Sequence, residues 1–386
     1  MTNNLIDSVR ESCVITNSKD IENLFTLNNF PIFIGNTTQK LEDDLFSDMI
    51  FDISKECGAI QLKVLINPNL IYSQYHSEAI GKVWDDHHTR FAELLSDLIN
   101  NNNVKNILEI GGSTAKLAKM ILKSNQSIKN WTIIEPNIPE QTEEIDGRID
   151  FISEFFSSDL LNEKYDLVIH SHTLEHMFNP NEFLSEINKC LKTDGLHVFS
   201  VPDLYSYLED LHPNILNFEH TIFLTEEILD YILVKNKFEI LNKENYLKHS
   251  VFFVTKKNET ILEPTVPNKY NEYKGMFVNY IKHYEKLIEE INNKINESED
   301  DVYLFGGHVF SQFLIAMGLN TDKIECILDN SLMKNNTRLY GTGLTIRNPK
   351  EVDIKDNSII ILKVGNYKDE IMSGLLSINP NIKFLE

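Results

Sequence analysis

Apolar residues along this chain fall into two rhythms. In its middle, short apolar runs bounded by polar turns alternate with segments whose apolar positions recur three and four apart. The runs Asn106–Ile110, Trp131–Glu135, Ile149–Ile152, Tyr165–His170 and Leu196–Val201 read as buried strands, and Glu239–Leu241 with Val251–Val254 as a closing hairpin. Helical spacing runs from Trp84 through Asn100, ahead of the first strand. Strands that are apolar throughout and separated by helices predict a parallel, doubly wound α/β sheet.

The flanks have different patterns. Before residue 80, Phe30–Gly35, Asp48–Ile53 and Ala59–Leu65 predict a small strand-rich unit with little core of its own, which must pack on the region C-terminal to it. After Lys257 a connector with two prolines leads to a charged helical segment from about Tyr270 to Asn296. A second, smaller α/β alternation then runs through Val302–Gly307, Ile324–Asp329, Ser358–Lys363 and Ile382–Leu385. The predicted division is 1–80, 81–257, a linker and helix over 258–298, and 299–386.

Composition excludes some partners. Acidic residues outnumber basic ones 58 to 36, a formal net charge of -22, so the surface field repels nucleic acid. No basic n-region precedes an apolar stretch at the N-terminus, and no apolar run is long enough to span a bilayer, which predicts a cytoplasmic protein with no membrane partner. Cys13, Cys57, Cys190 and Cys326 form no CxxC pair and read as reduced thiols.

The chemistry concentrates at strand ends. Ile107-Leu-Glu-Ile-Gly-Gly-Ser-Thr-Ala115 runs from a strand through a glycine pair into a helix, a turn that lets the backbone approach a ligand. Ser113 and Ala115 stand where further glycines would be expected, and by itself the loop also fits a plain strand–helix turn. Glu135 ends the next strand, at the distance from which an acid grips ribose hydroxyls in such folds. The third strand leads to Glu154 and Phe155, the fourth to His170-Ser-His-Thr-Leu-Glu-His176.

The ordered set "LEIGG", "IIEPN", "YDLVIHSHTLEHMFNP" and "LKTDGLHVFSVPD" closely resembles class I S-adenosylmethionine-dependent methyltransferases. Both flanks resemble those of the three-domain enzymes that C-methylate nucleotide-linked deoxy-keto-sugars. The resemblance implies a Rossmann-like methyltransferase domain between a small strand-rich N-terminal domain and a smaller C-terminal α/β domain. It implies S-adenosyl-L-methionine as cofactor and a nucleotide-linked or phosphorylated sugar as substrate. The implied cofactor set is Glu109, Gly111, Gly112, Glu135, Glu154, Phe155 and His170. Gly111 and Gly112 flank the methionine part, Glu135 the ribose and Glu154 the adenine with Phe155 beside the ring, while the loop after His170 faces the sulfonium.

For catalysis, the family's Tyr-x-Glu-His run falls on Asn217-Phe-Glu-His220, where the tyrosine is missing. Histidine suits proton removal near neutral pH, so the expected base is His220 with Glu219 orienting it. Tyr72, Tyr75 and His76 fall where the N-terminal flank reaches the acceptor, and one of the tyrosines could replace the missing phenol. The family's N-terminal zinc site normally has two CxxC pairs. Here only Cys13 and Cys57 match, short of four ligands, so no metal is expected. O-methylation and a non-catalytic binding subunit stay open as alternatives. The C-terminal Gly306-Gly-His308 and Asp329 repeat the glycine-and-acid layout, either to hold the acceptor's nucleotide or as part of a plain lid.

Overall fold

The computed structural model describes residues 5–72, 81–138, 145–260 and 263–386. The strand runs of the middle region form one seven-stranded sheet: β1 (Asn106–Ile110), β2 (Asn130–Ile134), β3 (Ile149–Ile152), β4 (Tyr165–Ser171), β5 (Leu191–Pro202), β6 (Phe238–Tyr246) and β7 (Ser250–Lys257). Their spatial order is β6-β7-β5-β4-β1-β2-β3. The first five strands are parallel, and β7 enters antiparallel beside β5. Strand order reverses between β1 and β4, the switch point at which doubly wound folds open a ligand crevice at the carboxyl ends of the strands.

β5 starts at Leu191, five residues before its apolar run. Tyr165 pairs with Leu191, and the register then jumps to Leu167 opposite Leu196. The residues taken up in the jump, Lys192 to Asp194, are largely solvated, which is why their polarity hid the strand. The helix Lys82–Asn101 covers one face of the sheet with His87, Phe91, Leu95 and Ile99, a spacing of four that keeps them on one side.

In the N-terminal region Ile21–Pro31, Phe46–Ser54 and Ile60–Leu62 form an antiparallel sheet. The first of these strands has no clean apolar alternation and escaped the pattern except for its last residues. As expected, this sheet packs outward instead of enclosing its own core: Phe51 lies 5.7 Å, ring to ring, from both Phe223 and Phe277. Phe277 belongs to the long helix Tyr270–Glu297, whose Tyr284 packs edge-on against Phe313 of the C-terminal region.

That region is an all-parallel five-stranded sheet centred on Val302–Phe305 and Ile324–Leu328, with Ile346–Arg347, Ile359–Ile361 and Lys383–Leu385 beside them. The two-residue strand Ile346–Arg347 is too short to leave a pattern in the sequence. Among the described residues, no helix is long and apolar enough to cross a membrane.

Candidate functional site

The turn after β1 is built from unusual backbone. Gly111 has φ +77°, and Ser113 and Ala115 also lie in the left-handed region, at +42° and +60°. Glycine is the relaxed choice for such angles, and non-glycine residues held there mark turns that the surroundings enforce. A Cβ on Gly112 would fall 2.7 Å from Ile133 Cγ2 and 2.9 Å from the Glu109 carboxyl carbon, so this position admits no side chain.

Glu135 faces this turn. The Ser113 N–H donates to its Oε2 at 3.2 Å and the Asn137 N–H to its Oε1 at 3.1 Å, which fixes a half-exposed carboxylate at the carboxyl end of β2. Glu154 and Phe155 stand exposed just past β3, and the Phe155 ring lies 6.1 Å from that of Tyr72. These residues share the carboxyl edge of the sheet.

Two others of the set are placed differently. Glu109 is buried beneath the turn, accepts the Trp131 Nε1–H at 2.7 Å, and is pushed up to about 8 by desolvation. His170 is 1% exposed, within hydrogen-bond reach of His197 Nε2 (3.0 Å) and stacked on Phe199. The structure thus places His170 in the core, because strand alternation puts it on the same sheet face as the buried Val168, against Phe183 and Phe199. Tyr75 and His76 lie outside the described residues.

The loop that carries His220 is shaped by Asn217. The Asn217 Oδ1 accepts both the Glu219 N–H at 2.9 Å and the His220 N–H at 2.8 Å, so the residue in the place of the missing tyrosine forms the turn. Residues 221–223 then pair with the N-terminal sheet: Leu62 N–H donates to Thr221 O and Phe223 N–H to Ile60 O, both at 2.9 Å.

Arg10, which no motif singled out, holds this junction. Its buried guanidinium donates to Thr221 O at 2.6 Å, Leu62 O at 3.2 Å and Phe178 O at 2.6 Å. It thereby ties the N-terminal sheet both to the residue after His220 and to the loop after β4. No sequence signal marks it, since the strand Ile6–Val9 before it and Glu11 after it are exposed while Arg10 itself is buried.

Four side chains meet between these loops. Tyr72 Oη lies 3.0 Å from His176 Nδ1, and the His176 and His220 rings meet edge to face at 5.0 Å. Glu175, Glu of the Leu-Glu-His turn, is fully buried beside them, 3.9 Å from His176 Nε2 and 3.5 Å from His172 Nδ1. The ligand atoms of Glu175, His176 and His220 come within 4.8 Å of one another. One carboxyl group and two imidazoles are thus gathered at a single point, the donor set of either a proton relay or an ion site.

The sulfurs of Cys13 and Cys57 lie 3.7 Å apart, both buried. That spacing would suit two thiolates on zinc, but among the described residues no third histidine, cysteine or acid joins them.

Comparison with known proteins identifies two regions of the chain. Residues 80–242 match a family model described as a methyltransferase domain, and residues 250–381 one described as a C-methyltransferase C-terminal domain. No curated protein matches. Among solved structures, the N-methyltransferase NodS of Bradyrhizobium japonicum is 17% identical with a TM-score of 0.34, the match covering 46% of this chain and 97% of that one. The 1,6-didemethyltoxoflavin-N1-methyltransferase of Burkholderia thailandensis is 18% identical with a TM-score of 0.37, covering 46% and 82%. Those structural likenesses are too slight to speak to the reaction. The two family models, one on the sheet with the glycine turn and one on the region behind it, make the chain an S-adenosylmethionine-dependent methyltransferase.

Proposed function

We propose that this enzyme methylates a carbon beside the keto group of a small sugar carried on a nucleotide or phosphate. The observation that carries the reading is a half-buried histidine, His220, set beside the fully buried Glu175 carboxyl group at the carboxyl edge of the sheet, in a chain whose C-terminal region matches C-methyltransferases. A carbon acid needs a positioned base, whereas an already nucleophilic nitrogen does not.

In the mechanism, Gly111, Gly112, Glu135, Glu154 and Phe155 would hold the cofactor, whose sulfonium would supply an electrophilic methyl group. His220 takes the proton beside the keto group, and the C–H electron pair passes into an enolate. Tyr72, its hydroxyl against His176, stands where a phenol can donate to the enolate oxygen, the role left open by Asn217. Stabilising such an oxyanion contributes heavily to rate. Binding and orientation of the acceptor between the two loops and the N-terminal flank supply the rest.

The test combines methyl-labelled cofactor with a panel of nucleotide-linked keto-deoxysugars. Label should enter a carbon-bound methyl group, and the hydrogen beside the keto group should exchange with heavy water only when His220 is present. Label on oxygen would establish O-methylation instead. A His220→Ala variant that retains turnover would remove His220 as the base.

A further inference from the structure

We infer that Glu175, rather than the adjacent-in-sequence Glu219, is the carboxylate that orients His220 and balances its charge when it takes a proton. The inference rests on the reading of His220 as the base. Two observations point to it, and each is an anomaly alone. The Glu175 carboxyl is fully buried and neither oxygen accepts a hydrogen bond, and the buried His220 Nδ1 likewise has no partner. A buried carboxylate left unpaired costs several kcal/mol, and such groups persist in folded proteins when they are paired or neutralised.

Other donors are otherwise engaged or aimed. His176 Nδ1 is taken up by the Tyr72 hydroxyl at 3.0 Å. The His172 ring is held from its far side, with Nε2 2.9 Å from Ser250 Oγ, which in turn lies 2.7 Å from His249 Nδ1. His172 Nδ1 reaches Glu175 only at 3.5 Å. The carboxyl is thus walled by His172 and His176 on its own loop, His220 from the loop after β5, Tyr72 from the N-terminal region and Tyr207 from the helix Leu204–Glu209.

The backbone keeps His220 and Glu175 in register. Thr221 N–H donates to Glu175 O at 2.9 Å, so the residue after the base is bonded to the acid's own peptide, and Arg10 clamps Thr221 and Phe178 from outside. Within that frame, a small rotation brings His220 Nδ1–H onto Glu175. The opposite nitrogen, Nε2, then has its lone pair facing the acceptor, the tautomer a general base needs.

The step balances simply. Nε2 takes the acceptor's proton, the C–H pair goes to the enolate, and the resulting imidazolium stays bonded through Nδ1–H to the Glu175 carboxylate. Burial raises Glu175 to about 7 and lowers His220, with the Glu175 charge acting back on His220.

The test uses Glu175→Gln and Glu175→Asp in the full chain with ¹⁵N-labelled histidine, read by NMR with S-adenosylhomocysteine present. Glu175→Gln should lower the His220 pKa and raise the fraction of its wrong tautomer, and Glu175→Asp should restore part of both. In turnover, Glu175→Gln should lower kcat about 10- to 100-fold and shift its pH profile, with acceptor KM and cofactor Kd within about twofold. An unmoved His220 signal in Glu175→Gln, or the same shift produced by Glu219→Gln instead, would overturn the inference. So would a stoichiometric divalent ion in the purified enzyme that Glu175→Gln releases. The NMR readout needs no acceptor, so a failure of the sugar reading leaves this outcome legible.

Discussion

The chain contains two turns of the same design, one after β1 and one after Val302–Phe305. In each a strand ends in a glycine pair, and the second glycine lies against a branched side chain of another strand: Gly112 against Ile133, Gly307 against Ile346. In each an acid twenty-two residues on accepts a turn N–H, Glu135 from Ser113 at 3.2 Å and Asp329 from Gly307 at 2.8 Å. The two differ in what surrounds the acid. Glu135 stands half-exposed at the sheet edge, whereas Asp329 is buried and ion-paired with Lys334 at 3.1 Å. Shared backbone geometry makes a turn, and a ligand site further requires an acid that solvent, and so a ligand, can reach.

The sharpest break between the two comes from adding a methyl group. Gly112→Ala places carbon 2.7 Å from Ile133 and 2.9 Å from Glu109, and overpacking of that kind costs about 1–3 kcal/mol. If the displaced backbone cradles the cofactor as proposed, S-adenosylmethionine affinity measured by calorimetry should fall at least about tenfold. Gly307→Ala meets Ile346 Cδ1 at 2.6 Å and should lower Tm by a few degrees with cofactor affinity intact. Equal losses of affinity in both variants would erase the distinction between the turns.

A smaller effect separates the acids. Glu135→Gln should weaken cofactor binding about tenfold, the scale of a charge-assisted hydrogen bond, and leave Tm nearly unchanged. Asp329→Asn should do the opposite, with cofactor affinity intact and about 2 kcal/mol of stability lost from the Lys334 pair and the Gly307 bond. Denaturant titration with and without cofactor reads both.

The pattern of apolar runs showed most of this architecture, since buried parallel strands are apolar at every position and need no context to be recognised. Strand ends were legible where glycine and acid mark them. Residues whose roles depend on meeting across the fold were not. Arg10 joins Thr221 and Phe178 over long sequence gaps, and Glu175 differs from any other strand-end acid only through burial beside His220. Asn217 looked like a loss in the sequence, while in the fold its side chain makes the turn. His170 illustrates the reverse: it resembles a strand-end ligand, but strand alternation turns it onto the buried face against Phe183 and Phe199.

The last difference between the turns lies beneath them and is the most modest to measure. Aligned on their glycines, "LEIGG" and "YLFGG" set Glu109 opposite Leu304, both buried. Burial pushes Glu109 up to about 8, against about 4.3 in the unfolded chain. Between those values the folded state binds more protons than the unfolded one, so stability from this group is complete below about pH 4 and is lost as pH rises toward 8. Glu175, raised to about 7, acts in the same direction, so the informative quantity is the difference between variant and parent. Glu109→Gln keeps an acceptor for Trp131 and removes the titration. Its Tm should fall less than the parent's between pH 5 and pH 8. Parallel Tm curves would mean that Glu109 is ionised beneath the turn. In that case the two turns would differ in a fixed negative charge under one of them, a different way of favouring a cationic methyl donor.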